Sequence, residues 1–171
     1  MKNLLKIVIA LVFGIAINAC STQQPASLYE SIMLTSNKSF RGIEIGMTFD
    51  DVKSKEKTNP DYEEKDAELY YHYDLNETDS FTISYSFDEK GLYEIHCVAF
   101  INNIDEDKPK TLFYDLKNNF IDNYGQPSEE NNSFTSWQAQ NKFSNEFEIS
   151  IQETSDSEKS EISISYYDYD Y

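Results

Sequence analysis

The side chains best suited to nucleophilic or metal chemistry in this 171-residue chain are His72, His96 and Cys97. His96 and Cys97 are neighbours in an apolar run that predicts a strand, and neighbouring strand residues point to opposite faces. They therefore cannot form a Cys–His pair, and two histidines without a third ligand are too few for a zinc site. We expect no catalytic residues, no metal, no cofactor and a buried, inert Cys97.

Carboxylates are the other abundant reactive groups, with 31 Asp and Glu residues in the chain. At this density pairs arise by chance, so adjacent acids are weak evidence for a glycosidase. Three clusters leave Ca²⁺ binding open, although none has the EF-hand spacing and solvated acidic loops are the more frequent interpretation. These clusters are 105–107, Asp156 with Glu158, and Asp168 with Asp170.

Charge excludes some classes of partner. The formal net charge is −17, from 14 basic and 31 acidic residues. A chain so acidic repels nucleic acid, because phosphate binding needs clustered lysine and arginine. Basic proteins, cations or neutral ligands are the partners that the charge favours.

The first twenty residues predict a secretory signal. Lys2 and Lys6 precede an apolar run over 7–17, which is too short for a membrane span, and a small residue, Ala19, lies before Cys20. Residues 17–20 resemble a bacterial lipobox, which implies cleavage after Ala19 and a lipid on Cys20. The mature chain then has a charge of about −19, since residues 1–19 contain two lysines and no acid.

Composition and periodicity divide the remainder into a tether and one domain. Residues 20–39 are polar and turn-rich, which is typical of a flexible tether with at most one helical turn, and 40–171 form a single acidic domain. Thr48 predicts a helix start with Asp51 completing a capping box, and Gly125 ends a second helix that begins near Pro109.

Alternating apolar residues predict six strands, three after each helix. The expected order is therefore αβββαβββ. We predict an α+β fold: one antiparallel sheet of about six strands with two helices packed on one face. The runs that alternate are 69–73, 81–87, 92–100, 134–140, 147–151 and 162–166.

Two motifs resemble known families. The run Ile43-x-Ile45-Gly46-Met47-Thr48 is similar to the start of the first helix in small outer-membrane assembly lipoproteins of the SmpA/OmlA type. The helix end at 124–127, Tyr-Gly-Gln-Pro, resembles that of the same proteins and of the β-lactamase-inhibitor-protein-like group. The resemblance implies a small, non-catalytic, protein-binding lipoprotein.

The sequence therefore favours a non-enzymatic lipoprotein of the Gram-negative envelope that binds another envelope protein. Its membrane contact is a lipid that includes palmitate, on Cys20. Ser21 favours the outer membrane, on its periplasmic or its surface side. The alternative is an acidic inhibitor or immunity-type protein that binds a basic enzyme or toxin. The tyrosine-rich end, 166–171, is either a fraying strand or a contact surface, and the oligomeric state is left open.

Overall fold

A computed structural model describes residues 27–34, 39–102, 107–140, 146–156 and 158–169. These residues form three helices and eight strands, with two helices before the first strand and a third between two groups of four strands. They are α1 (Leu28–Met33), α2 (Phe49–Lys55), β1 (Tyr62–Glu64), β2 (Glu68–Asp74), β3 (Ser80–Asp88), β4 (Gly91–Asn102), α3 (Asp107–Tyr124), β5 (Glu129–Glu130), β6 (Phe134–Gln140), β7 (Glu146–Ser155) and β8 (Lys159–Asp168).

All eight strands form one antiparallel sheet in the order β1-β2-β3-β4-β8-β7-β6-β5. Each group of four is a meander in which consecutive strands pair. The last strands of the two groups, β4 and β8, pair at the centre with nine partners in register, from Glu94 opposite Tyr167 to Asn102 opposite Lys159. The sheet thus has the same order of strands on either side of its central pair.

The predicted count of about six strands with two helices is wrong, because the sheet has eight strands and the described residues form three helices. Six strands coincide with the alternating runs. The two extra strands, β1 and β5, have three and two residues, all exposed, so they carry no apolar alternation that a sequence pattern could reveal. The extra helix, α1, lies within the predicted tether range and starts with a capping box between Ser27 and Glu30.

The boundaries of α2 and α3 follow local signals in the sequence. The Thr48 hydroxyl caps α2 by accepting from the Asp51 backbone N–H, and it donates to the Asp51 carboxylate at 2.8 Å. That second bond takes the place of the expected capping-box bond, in which the Thr48 backbone N–H would donate to the Asp51 carboxylate. At the other boundary, Gly125 follows α3 with φ +87° and donates to the Ile121 carbonyl at 2.9 Å.

One apolar core lies between the helices and one face of the sheet. Inward residues of the strands alternate with outward ones, and they form a single buried cluster with residues of all three helices. Phe120 of α3 is central, since its ring lies edge-on to Trp137 and Tyr166. No helix in the described part of the chain is long and apolar enough to cross a membrane.

A buried ion pair joins α1, α2 and the sheet. Arg41, the only arginine of the chain, donates from Nη2 and Nε to the Glu56 carboxylate at 2.9 Å, and its side chain is 3% exposed. Nη1 donates to the Ile32 carbonyl near the end of α1. The hydroxyls of Tyr73 and Tyr85 also donate to Glu56. Burial alone lowers the pKa of Arg41, but the hydrogen bond and charge of Glu56 raise it overall, so the guanidinium stays charged.

Candidate functional site

The sheet face away from the core is a regular surface that the described helices leave uncovered. The buried residues of all three helices belong to the core on the opposite side. We call the outward residues of β2, β3, β4, β8, β7 and β6 the open face. Antiparallel sheets often have one face packed on the core and the other face in water. The presence of the open face therefore indicates no function by itself, and any indication has to come from its side chains.

The centre of the open face is a row of small hydroxyl side chains around one histidine. Ser84, His96, Ser165 and Ser150 are successive partners in register across β3, β4, β8 and β7. His96 Nδ1 lies 2.9 Å from Ser165 Oγ. This is a serine–histidine contact on a sheet surface, and no described hydrogen bond joins a carboxylate to the other ring nitrogen as an acyl-transfer triad would require.

The structure does not bring His72, His96 and Cys97 together. His96 points outward and Cys97 inward, as predicted from their adjacency. Burial raises the pKa of the Cys97 thiol to about 12, which keeps it protonated and unreactive. His72 lies on β2, separated from β4 by the whole of β3, and its Nε2 is 3.2 Å from Asp74 Oδ1.

The acidic clusters have structural roles where they are described. Asp156 Oδ1 accepts from the backbone N–H groups of Glu158 and Lys159, which closes the β7–β8 turn. Asp107 begins α3, and Asp168 ends β8. Residues 105, 106 and 170 lie outside the described residues, as does Cys20. Among the residues that are described, no group of three or more His, Cys, Asp or Glu side chains is arranged to hold a metal ion.

Two shallow clefts lie on other parts of the surface. One, of about 250 Å³, separates α1 from the start of α3 and includes Tyr29 and Asp115. The other, of about 340 Å³, lies between the start of α2 and the β3–β4 turn and includes Thr48 and Asp88. Neither is lined by His72, His96 or Cys97, so these residues have no enclosed site there.

On the open face, carboxylates outnumber cationic side chains. Lys159 is the one lysine or arginine among the outward residues of β2, β3, β4, β7 and β8, and it lies at the start of β8. The lysines of the helices lie on the other side of the sheet, on α2 and α3. The outward carboxylates of the same strands include Glu68, Asp74, Glu94, Glu146, Glu148 and Glu161.

Three tyrosines and two glutamates meet on the open face at one end of its central strands, β4, β8 and β7. Tyr167 is the register partner of Glu94 on β4 and of Glu148 on β7, so a glutamate lies next to it on each neighbouring strand. Tyr93 and Tyr169 both contact Tyr167 edge-on, with ring centroids 6.4 and 5.6 Å away. We call these five residues the tyrosine–glutamate corner.

The tyrosines of the corner are partly exposed, and its glutamates lie outside the described ion pairs. Tyr167 is 37% exposed and Tyr169 is 55% exposed. Glu148 accepts hydrogen bonds from the Tyr169 hydroxyl and from Gln138 Nε2, and the bond that Tyr169 donates to Glu148 raises the pKa of Tyr169. Within the described part of the chain, no ion pair neutralises Glu94 or Glu148.

The sequence indicated two of the five residues of this corner. Tyr167 and Tyr169 belong to the tyrosine-rich end that the sequence predicts to be a fraying strand or a contact surface, whereas Tyr93, Glu94 and Glu148 are not predicted to join them. Their proximity to Tyr167 depends on the pairing of β8 with both β4 and β7, which no local pattern reveals. The sequence offered one signal for Glu94 and Glu148, which is that both are polar residues within strands that otherwise alternate apolar and small residues.

Comparison with protein-family models, with curated proteins and with solved structures gives no match. No family is therefore assigned. The features that indicate a function are the sequence of the first twenty residues and the chemistry of the open face.

Proposed function

We propose that this protein is a non-enzymatic, lipid-anchored protein of the bacterial cell envelope that binds another protein through the open face of its sheet. The observation that supports the binding role is the tyrosine–glutamate corner. Exposed tyrosines provide contact area with little loss of side-chain entropy, and they are enriched in protein interfaces. Single exposed apolar residues are common on protein surfaces and need no explanation. A group of exposed rings flanked by charges of one sign is less common and indicates an interaction site.

The anchoring part of the proposal is supported by sequence. Residues 1–19 have the charge and apolar pattern of a signal, and Cys20 follows the small residue Ala19. Lipid on Cys20 and a position at the outer membrane, within the periplasm or on the surface, belong to the proposal. The resemblance to SmpA/OmlA-type assembly lipoproteins stays a prediction.

Metabolic labelling with a radioactive fatty acid tests the anchor. The wild-type chain should incorporate label, and Cys20→Ala should lose both the label and processing after Ala19. Cys97→Ala is the matched control, because the second cysteine is buried in the folded domain and should not affect labelling. Normal processing and unchanged labelling of the Cys20→Ala chain would contradict the anchor.

Site-specific photo-crosslinking in intact cells tests the binding role. A photoreactive amino acid replaces Tyr167 on the open face or Tyr114 on α3, which is 57% exposed on the opposite side of the molecule. We expect a discrete crosslinked protein from position 167 and none from position 114. Absence of any discrete product at position 167, and at Phe134 and Ser163 on the same face, would reject binding through the open face.

A second candidate, an acidic inhibitor of a basic enzyme or toxin, is favoured by one observation. Carboxylates on the open face outnumber cationic side chains, which would steer a basic protein toward it. Identification of the crosslinked protein separates the two roles. A membrane β-barrel or its assembly factor supports the envelope partner, and a basic secreted enzyme that loses activity on binding supports the inhibitor.

A further inference from the structure

We infer that the tyrosine–glutamate corner is the docking site for an arginine side chain of a basic protein partner. This inference rests on the proposed binding function and specifies its surface and chemistry. Tyr167 supplies an exposed aromatic ring, and its register partners Glu94 and Glu148 supply a carboxylate on each side.

The spacing suits a guanidinium group. Neighbouring strands lie about 4.8 Å apart, so the strands bearing Glu94 and Glu148 lie about 10 Å apart with Tyr167 midway between them. A guanidinium stacked on the Tyr167 ring would present N–H groups along its plane toward both carboxylates. Arginine combines stacking with planar, bidentate hydrogen bonding, whereas the compact ammonium of lysine cannot satisfy both contacts in the same way.

The chain already contains one example of this arrangement in its interior. Arg41 lies over the Tyr73 ring with its guanidinium carbon 4.9 Å from the ring centre, and it is bonded to the Glu56 carboxylate. The corner has the same two kinds of group that contact Arg41, a tyrosine ring and glutamate carboxylates, but at the surface. The chain has no further arginine to occupy it, since Arg41 is the only one.

Charge favours a basic protein over the other possible occupants. A second copy of this chain would bring another strongly acidic surface against the open face, which like-charge repulsion opposes. Anionic lipid and nucleic acid are opposed for the same reason. The row of serine side chains beside the corner is small enough to let an extended segment of a partner approach the sheet closely.

Binding of defined peptides to the full-length lipoprotein in neutral detergent micelles tests the inference. The probes are a fluorescent peptide of alternating arginine and serine and its lysine counterpart, and the measurement is the anisotropy-derived Kd. We expect the arginine peptide to bind about threefold more tightly than the lysine peptide, because stacking favours guanidinium.

Matched variants separate the corner from general negative charge. Glu94→Gln with Glu148→Gln should weaken the arginine peptide about tenfold, equivalent to about 1.4 kcal/mol. The control pair, Glu77→Gln with Asp122→Asn, removes the same charge from an exposed loop and from α3, and should weaken binding less than about twofold. Tyr167→Ser should remove the preference for arginine, and Tyr114→Ser should preserve it. Thermal melts first establish that each variant is folded.

Several outcomes would overturn the inference. The first three are absence of binding of the arginine peptide, equal losses of affinity in the two double variants, and an unchanged preference for arginine in Tyr167→Ser. The other two are Ca²⁺ binding that the same corner variants abolish, and self-association through the corner that the peptide does not displace. Crosslinking to a partner from another part of the open face, with none from the corner, would reject the inference while leaving the proposed function in place.

Discussion

At the scale of single residues, the buried pair Arg41–Glu56 holds several elements together through one carboxylate. Glu56 accepts from the guanidinium and from the hydroxyls of Tyr73 and Tyr85, and its side chain is 1% exposed. Removing one charge of such a pair leaves the other buried without compensation, which is more costly than replacing both.

We therefore expect Glu56→Gln to lower the free energy of unfolding by about 3 to 5 kcal/mol, measured by urea denaturation. The control is Glu63→Gln, which breaks the ion pair of Glu63 with Lys53, whose side chains are 35% and 38% exposed. Because solvent screens an exposed pair, that change should cost less than about 1 kcal/mol. Equal losses in the two variants would show that Glu56 contributes no more than a surface charge.

Gly91 is a second residue whose identity is dictated by its surroundings. It has φ +119°, and a Cβ atom there would lie 2.8 Å from the Gly46 carbonyl oxygen and 2.9 Å from that of Met47. The close approach arises because Leu92 N–H donates to the Met47 carbonyl and Gly46 N–H donates to the Leu92 carbonyl, at 2.8 and 2.7 Å. The Gly-Met-Thr segment before α2 is thus attached to the start of β4.

Gly91→Ala should lower the free energy of unfolding by at least about 2 kcal/mol, because it adds a steric clash to an unfavourable φ. Gly125→Ala is the comparison, since its φ is +87° but nothing lies within 4 Å of the added methyl group. That substitution should cost only about 1 kcal/mol, the price of a left-handed conformation. A smaller loss at position 91 than at position 125 would contradict the role of the backbone contact.

Some of these residues were predictable and others were not. Thr48 and Gly125 are local signals, since a cap depends only on neighbours in sequence. The pairing of Arg41 with Glu56 spans 15 positions and depends on how α2 folds back, so periodicity does not reveal it. One signal was present: a lone arginine in a chain that otherwise uses lysine, because arginine is the residue preferred in buried ion pairs.

At the scale of elements, α3 attaches the second group of strands to the core. Phe120 contacts Trp137 with ring centroids 5.4 Å apart, and Trp137 Nε1 donates to the Gly125 carbonyl at 3.0 Å. The helix and its end are therefore both fixed against β6. Leu112, Leu116 and Phe120 recur at every fourth position, which is the spacing of one helix face, and all three are buried.

Phe120→Ala should lower the free energy of unfolding by about 3 to 5 kcal/mol, because a large buried ring is replaced by a cavity. Tyr114→Ala on the exposed side of the same helix should cost less than about 1 kcal/mol. Chemical denaturation of both variants compares them directly. If both substitutions had similar small effects, α3 would not be packed on the sheet as described.

Short elements were beyond sequence prediction for a physical reason. A strand of two or three exposed residues, such as β1 or β5, is held by backbone pairing with its neighbour and has no buried side chain to create a pattern. Residues 28–33 form α1, and they bury Ile32 and Met33, although the surrounding segment is polar. Its burial depends on contact with α3 and on the bond from Arg41, which are tertiary interactions.

At the scale of the whole molecule, the sheet separates two environments. The core side is rich in tyrosine as well as aliphatic residues, and the open side carries the carboxylates and serines. Alternation predicted this division strand by strand. The order in which the two meanders join, and therefore the composition of the corner, depends on the β4–β8 pairing between residues more than 50 positions apart.

The tyrosine-rich core has a consequence for stability at alkaline pH. Burial raises the pKa of Tyr71 from its ordinary value of 10.0 to about 12, with the Glu56 and Glu63 charges adding to the effect. The pKa of Cys97 likewise rises from 9.0 to about 12. Burial also raises the pKa values of Tyr85 and Tyr166. All of these groups are neutral in the folded protein when the unfolded chain has begun to ionise.

The free energy of unfolding should therefore be constant up to about pH 8 and fall steadily as pH rises toward 12, because the unfolded state loses its protons first. Urea denaturation at a series of pH values measures this directly. Tyr71→Phe should reduce the alkaline fall, and it should leave stability at pH 7 unchanged or higher, because the Tyr71 hydroxyl is buried without a hydrogen-bond partner among the described residues. Tyr62→Phe, at an exposed ring, is the control and should retain the full fall. Constant stability between pH 8 and pH 11 would contradict the burial of these hydroxyls as the cause.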